Sequence, residues 1–176
     1  MKHSSLPSKS ASAVKPSSSR KMRIRWMTGE DLNAAFAIEQ AANAHAWNAL
    51  QFAEALYRPN CVGLVAEVGS QMVGYVIHEK VDAASLHVWR IAVLPEFQRH
   101  GIASQLIARA ICLPLETRCR SVRMEVREGN LGAQLFLRSL GFKATSIQRD
   151  FYEDTHEDAY RMEYAYRCRS LNYGEL

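Results

Sequence analysis

The segment His87–Ala110, HVWRIAVLPEFQRHGIASQLIARA, decides the fold. Val88–Leu94 is an apolar run of strand character that stops at Pro95. A short polar loop, Gln98-Arg99-His100-Gly101-Ile102-Ala103, follows. The chain then takes up helical spacing through Ile102, Leu106, Ile107 and Ala110. A strand that turns through glycine into a helix leaves the first backbone N–H groups of that helix unpaired. The helix dipole adds about half a positive charge there, so the turn is a receptor for a phosphate-bearing ligand. Gly101 lacks a Cβ and lets an anion approach the backbone, while Arg99 and His100 can add charge. The loop is not a P-loop, because no Gly-Lys-[Ser/Thr] follows. Nor is it a dinucleotide fingerprint, which needs three glycines and a later acid.

Outward from this segment the pattern alternates strands and helices. Arg23–Met27 reads as a strand, with Thr28-Gly29-Glu30-Asp31 as a helix start capped by Thr28. Leu32, Ala35, Phe36 and Glu39 fall on one helical face. Asn43-Ala44-His45-Ala46 interrupts it, and a second helix runs from about Asn48 until Pro59. Cys61–Val68 and Met72–Glu79, joined by Gly69-Ser70, form a hairpin, and Leu86–Val93 completes a meander. The helix after Gly101 is expected to pass Pro114, kinked, to about Cys119. Val122–Arg127 alternates as a strand, Leu131–Leu140 is a helix closed by Gly141, and Lys143–Phe151 with Ala159–Tyr166 make a final antiparallel pair. The order β-α-α-β-β-β-α-β-α-β-β is α/β with a mixed sheet.

Composition narrows the function. The 176 residues, 48% of them hydrophobic, suffice for one domain with a real core. No apolar run reaches the roughly 18 residues of a membrane span. The net charge of +4 is misleading, because Lys2, Lys9, Lys15, Arg20 and Lys21 put +5 into the first 21 residues and leave the remainder near −1. A nucleic-acid footprint would instead spread over a folded face, so the folded domain is not expected to bind nucleic acid. Residues 1–21, rich in Ser, Lys and Pro, are expected to be a disordered tail that brushes acidic partners. A transit peptide shares that composition, but an Arg-studded amphipathic helix is lacking. The domain is expected over 22–168, with a C-terminal tail at 169–176. Cys61, Cys112, Cys119 and Cys168 show neither C-x-x-C pairing nor a metal-ligand rhythm, and read as reduced thiols of a cytoplasmic protein with no metal.

Val93-Leu94-Pro95-Glu96-Phe97-Gln98-Arg99-His100-Gly101-Ile102-Ala103 follows the pattern V-x-P-x-x-[QR]-x-x-G-x-[GA] of the GNAT acyltransferases, which the chain resembles. Met124-Glu125-Val126-Arg127-Glu128-Gly129-Asn130 followed by Leu140-Gly141-Phe142 is similar to the LEVR…N…LGF pattern of the RimI-type branch. Ile38-Glu39-Gln40 with Trp47, and Arg149-Asp150-Phe151-Tyr152 with Glu157-Asp158-Ala159 and Met162, agree in order, so the resemblance spans about Met22–Tyr166. It implies the GNAT acyl-CoA N-acyltransferase fold, a central mixed and splayed sheet flanked by helices, with acetyl-CoA as co-substrate. It also implies transfer to a protein N-terminus, an alanine of a small-subunit ribosomal protein, by a monomer or weak dimer. The cofactor contacts it implies are Ile91, Ala92 and Val93 on the splayed strand, Gln98 to Ser104 (with Arg99, His100, Gly101, Ile102 and Ala103 between), and Asn130. Asn130 equally suits the N-cap of its helix.

An amide formed from a thioester needs a neutral amine, a polarised carbonyl and an exit for the thiolate. Glu125, between Met124 and Val126 in an alternating strand, shares a face with Arg127; by itself it reads equally as a surface acid paired with Arg123 or Arg127. The resemblance assigns it as the general base. An α-amine, with a pKa of about 7.7 to 8.0, is roughly a tenth to a sixth neutral at pH 7, against less than a thousandth for lysine, so one carboxylate base suits an N-terminus better. The family's general acid, a tyrosine five residues before the Phe of LGF, is replaced by Leu137, and Leu137→Tyr is expected to restore a phenol beside the departing sulfur. Tyr152 and Tyr160 are candidate substitutes or groove walls, and Glu39 and Trp47 candidate acceptor contacts. His87 reads as structural. A GNAT enzyme of a small amine or of lysine, and a non-catalytic acyl-CoA-binding module, stay open as alternatives.

Overall fold

The computed structural model of the chain describes residues 21–82, 84–112 and 120–165. Strand β1 (Met22–Trp26) pairs antiparallel with β2 (Cys61–Val68). Between them Thr28 leads through a 3-10 turn (Gly29–Asp31) into helix α1 (Leu32–Ala42). Thr28 is the N-cap, and Asp31 three residues on completes the capping box, as expected. The Thr28 N–H and hydroxyl both donate to Asp31 Oδ2, at 2.7 and 3.0 Å. Arg25 grips the same carboxylate with two bonds of 2.7 Å and holds Asp31 well below the usual carboxylate range. On α1 the buried residues are Ala35, Ile38 and Glu39; Leu32, expected on that face, is exposed in the first turn and Ile38 takes its place.

Helix α2 (Ala49–Tyr57) starts at a reciprocal cap: the Gln51 N–H donates to Asn48 Oδ1 at 2.9 Å, and the Asn48 N–H to Gln51 Oε1 at 3.0 Å. The meander follows as β2, β3 (Gln71–Lys80) and β4 (Ser85–Val93). Helix α3 (Ile102–Cys112) leads on; its expected continuation past Pro114 to Cys119 lies outside the described residues. The described residues continue with β5 (Ser121–Arg127), α4 (Leu131–Ser139), β6 (Lys143–Tyr152) and β7 (Glu157–Ala165), in the order expected from the sequence. Gly141, at φ +94°, ends α4: its N–H reaches the Arg138 carbonyl and that of Phe142 the Leu137 carbonyl, a Schellman pair. Both expected tails lie almost wholly outside the described residues, as do most of the cysteine side chains; Cys61 is a buried free thiol.

Among the described residues the sheet has seven strands in the order β1-β2-β3-β4-β5-β7-β6, with only β4 and β5 parallel. Helices α1 and α2 cover one face over Ala35, Ile38, Phe52, Tyr75 and Ile77. Helices α3 and α4 cover the other over Val88, Leu106, Ile107, Leu137 and Met162. None of the described helices is long and apolar enough to cross a membrane.

Two irregularities shape the middle of the sheet. The β4–β5 ladder has only three rungs, Ser85–Ser121, Leu86–Val122 and His87–Arg123, so from Val88 onward β4 has no partner in β5. On the other side of β4, Val88 pairs with His78 and Arg90 with Ile77, which leaves Trp89 as the extra residue of a bulge. The bulge changes the alternation. Leu86 and Val88 face the α3–α4 core before it, and Ile91 and Val93 face that core after it. Arg90 is thereby turned toward α1, where it meets Glu39.

Candidate active site

Where β4 parts from β5, the divergence opens into two confluent cavities of about 550 Å³ each. The first lies against the start of α3. It is lined by Ile91, Ala92 and Val93 of β4, by Gln98, Arg99, Gly101, Ile102, Ala103 and Ser104, and by Asn130 and Phe136 across the gap. The structure thus brings together every residue expected to contact the cofactor except His100, which lies outside the lining with its Nδ1 2.8 Å from the Gln98 carbonyl. The loop is drawn back to the strand by Gln98, whose Nε2 donates to the Val93 carbonyl at 3.0 Å. Arg99 (φ +63°) and Gly101 (φ +78°) both adopt left-handed backbone. A Cβ on Gly101 would meet nothing nearer than Gln105 Nε2 at 4.0 Å, so glycine is required by its backbone angle and not by crowding. Asn130 serves as N-cap, its Oδ1 accepting from the Ala133 N–H at 3.0 Å, and lines both cavities.

The second cavity continues past Ile91, Asn130 and Ala133 toward Glu125, Arg127, Tyr152 and Glu157, with Asn43, Ala44 and His45 forming the opposite wall. Glu125 is nearly enclosed, its side chain 8% exposed, and neither Arg123 nor Arg127 is its partner. Its Oε2 lies 2.6 Å from His87 Nε2, and its Oε1 accepts from Gln148 Nε2 at 3.1 Å and Arg161 Nε at 3.0 Å. Burial alone would raise this carboxyl, but the bond and charge of His87, then Arg161 and Gln148, outweigh it and hold the group down at about 2. Arg127 instead binds Asp154 through two contacts of 2.8 Å and Glu157 at 2.7 Å. Its guanidinium sits 3.9 Å from the Tyr152 ring. Burial pushes the Tyr152 phenol up, so it stays protonated at neutral pH.

Glu39 and Trp47, expected to contact the acceptor, lie behind the wall. Glu39 is 0% exposed, and its carboxylate is consumed by Asn43 (2.6 Å), the Trp47 N–H (2.9 Å), the Tyr75 hydroxyl and Arg90. It acts as a hub that fixes the 43–47 loop. Arg90 extends the hub, donating to the His45 carbonyl at 2.6 Å and lying 5.4 Å from the Trp47 ring. Trp47 packs edge-on against Phe52 in the α1–α2 core. A carboxylate on the apolar face of α1 and an arginine in an apolar strand were the available signs of this buried pair. His87, Gln148 and Arg161, missed as partners of Glu125, left no comparable mark.

The Acetyltransferase (GNAT) family matches residues 25–142. The chain belongs to the GNAT family. It is 36% identical over 140 residues to the [ribosomal protein bS18]-alanine N-acetyltransferase of Salmonella typhimurium, covering 77% of this chain and 92% of the relative. It is 30% identical over 155 residues to an N-alpha-acetyltransferase of Sulfurisphaera tokodaii, covering 81% and 92%. The crystal structure of the ribosomal-protein-S18-alanine N-acetyltransferase from Escherichia coli superposes with a TM-score of 0.77 at 28% identity, covering 86% of this chain and 98% of that one.

One departure from the GNAT pattern acquires a physical reason. Leu137 is 1% exposed in the α3–α4 core and lines neither cavity. A tyrosine there would overfill the core, so the expected gain from Leu137→Tyr does not survive. Tyr160 also packs against that core, and of the two candidate phenols only Tyr152 lines the second cavity.

Proposed function

We propose that this GNAT enzyme transfers the acetyl group of acetyl-CoA to the α-amino group of a protein N-terminus. We propose as acceptor the N-terminal alanine of a small-subunit ribosomal protein, encountered in the cytoplasm. The observation that carries the reading is the confluence of the cavities. One is floored by a helix start suited to phosphates, the other is walled by an ionised carboxylate, and they meet at Ile91, Asn130 and Ala133. The bS18-alanine and N-alpha names of the relatives support the choice of acceptor.

The chemistry then follows from the chain. The N–H groups of Ile102, Ala103 and Ser104 have no acceptor within α3 and can receive the pyrophosphate oxygens. Along the unpaired edge of β4 every second N–H points away from β3, available to a pantetheine amide and to the thioester oxygen. The neutral amine attacks the carbonyl carbon, the C–N bond forms, the C–S bond breaks, and the ammonium proton passes to Glu125, directly or through water. The thiolate takes a proton as it leaves; the Tyr152 hydroxyl, protonated at neutral pH, is its proposed donor. A carboxylate held near 2 is a weak base, so an acceptor that is already partly neutral suits it.

A panel of N-terminal peptides, lysine side chains blocked or free, and of small amines, read by mass spectrometry with acetyl-CoA, tests the proposal. Acetylation confined to α-amines, with alanine first, is expected. Preference for lysine or a free small amine would replace the acceptor, and no turnover on any member would leave a binding module.

A further inference from the structure

We infer that His87 is a positioning residue for the reaction, holding the Glu125 carboxylate toward the acceptor cavity across the point where the sheet divides. The inference rests on the reading of Glu125 as the base.

The geometry is that of a tie across an opening. His87–Arg123 is the last rung between β4 and β5, and Glu125 lies two residues farther along β5 on the same face as Arg123. The pair at 2.6 Å therefore spans the first step of the gap, with both side chains under a tenth exposed. The two other donors to Glu125, Gln148 on β6 and Arg161 on β7, both stand on the far side of β5 and both take Oε1. Without the imidazole, Oε2 has no donor from the β4 side, and the carboxylate is free to turn toward β6 and β7.

His87 is itself fixed. Leu86 and Val88 on either side are buried, and its ring lies 4.1 Å from that of Trp89, tilted by 55°. Trp89, the bulge residue, lines the acceptor cavity. Its indole N–H donates to Glu79 at 2.8 Å, and Arg58 sits 4.3 Å from its ring. A line of contacts thus runs from Glu79 and Arg58 through Trp89 and His87 to the carboxylate, and each member limits the freedom of the next.

Two substitutions of similar size separate positioning from simple packing. A glutamine amide reaches about as far as Nε2, whereas an asparagine amide reaches only about as far as Nδ1 and falls short of Glu125. His87→Asn is expected to lower kcat about 10- to 100-fold, the scale of a misplaced reacting group, with the KM values for acetyl-CoA and peptide within about twofold of wild type. His87→Gln should recover most of that rate. In a Glu125→Gln background His87→Asn should cost nothing further, because the carboxylate it positions is already gone. In the unsubstituted enzyme, NMR of the imidazole should show an Nε2 proton in a strong, charge-assisted hydrogen bond whose downfield shift Glu125→Gln reduces, a reading that holds even if an asparagine variant fails to fold. Equal rates for the asparagine and glutamine variants, additive losses in the double variant, or no such proton would overturn the inference. If Glu125→Gln alone left the rate unchanged, the assignment of the base would fail instead.

Discussion

Glu125 spends both oxygens on three donors, and this has two measurable consequences. Catalytically, Glu125→Gln keeps the shape and removes the base. General bases contribute about 10²- to 10⁴-fold, most when their pKa lies near the working pH; one held at about 2 belongs at the lower end, so kcat should fall nearer 10²-fold with acetyl-CoA affinity unchanged. A rate within twofold of wild type would place the base elsewhere. For stability, the sign follows from the depressed carboxyl. Its contribution is complete above the ordinary value of 4.5 and is lost as pH falls toward about 2. Denaturant titrations at a series of pH values should therefore show the stability gap between wild type and Glu125→Gln shrinking by up to about 1.4 kcal/mol per pH unit over that window. A gap independent of pH would contradict the pairing. Tyr152→Phe tests the acid: a drop in kcat of about tenfold or more is expected if the phenol protonates the thiolate, and an unchanged rate would leave the proton to solvent.

At the scale of elements, the loop proposed to face the phosphates joins a local signal to a long-range consequence. The strand, Pro95, Gly101 and the helical spacing after it all act within a few residues, which is why the loop, α3 and the order of the other elements were legible in the sequence. The bulge at Trp89 was not, because an extra residue in an apolar strand leaves the composition unchanged and shows only against β3. The partners of Glu125 come from three other strands, 23 to 38 residues away in the chain, and no spacing rule announces them. The burial of Glu39, a candidate acceptor contact in the sequence, was hidden for the same reason: its partners Tyr75 and Arg90 reach it only through the folded sheet. Gly101 separates backbone from charge in this loop. Gly101→Ala meets open space and should cost only about 1 kcal/mol for its left-handed angle, with acetyl-CoA binding retained. Gly101→Glu adds a carboxylate at the start of α3, in the cavity assigned to the phosphates, and calorimetry should show binding lost while the far-ultraviolet circular dichroism persists. Equal affinities for the two variants would remove the phosphates from this loop.

Across the whole molecule, the sheet is two antiparallel parts, β1 to β4 and β5 to β7, laced by three parallel rungs and then left open. The opening, proposed as the place of acetyl-CoA, withholds ladder bonds that a continuous sheet would make. A cofactor lying between the parts would contact both, through Ile91–Val93 and α3 on one side and Asn130 and Phe136 on the other. It therefore binds the folded chain and has nothing comparable to bind in the unfolded one. Mass action then sets the effect: free CoA at about 100 times its Kd stabilises by about 2.7 kcal/mol, or roughly 5 to 11 °C in Tm for a domain of this size. Hydrogen exchange locates that gain. Amides of Ile91–Val93 and Ile102–Ser104 should become protected with CoA, whereas those at the β1–β2 edge, remote from the cavity, should be unchanged. In Gly101→Glu both the Tm rise and the protection should vanish together. A Tm rise with protection confined to β6 and β7 would mean that CoA binds outside the opening, and the division of the sheet would then need a different explanation.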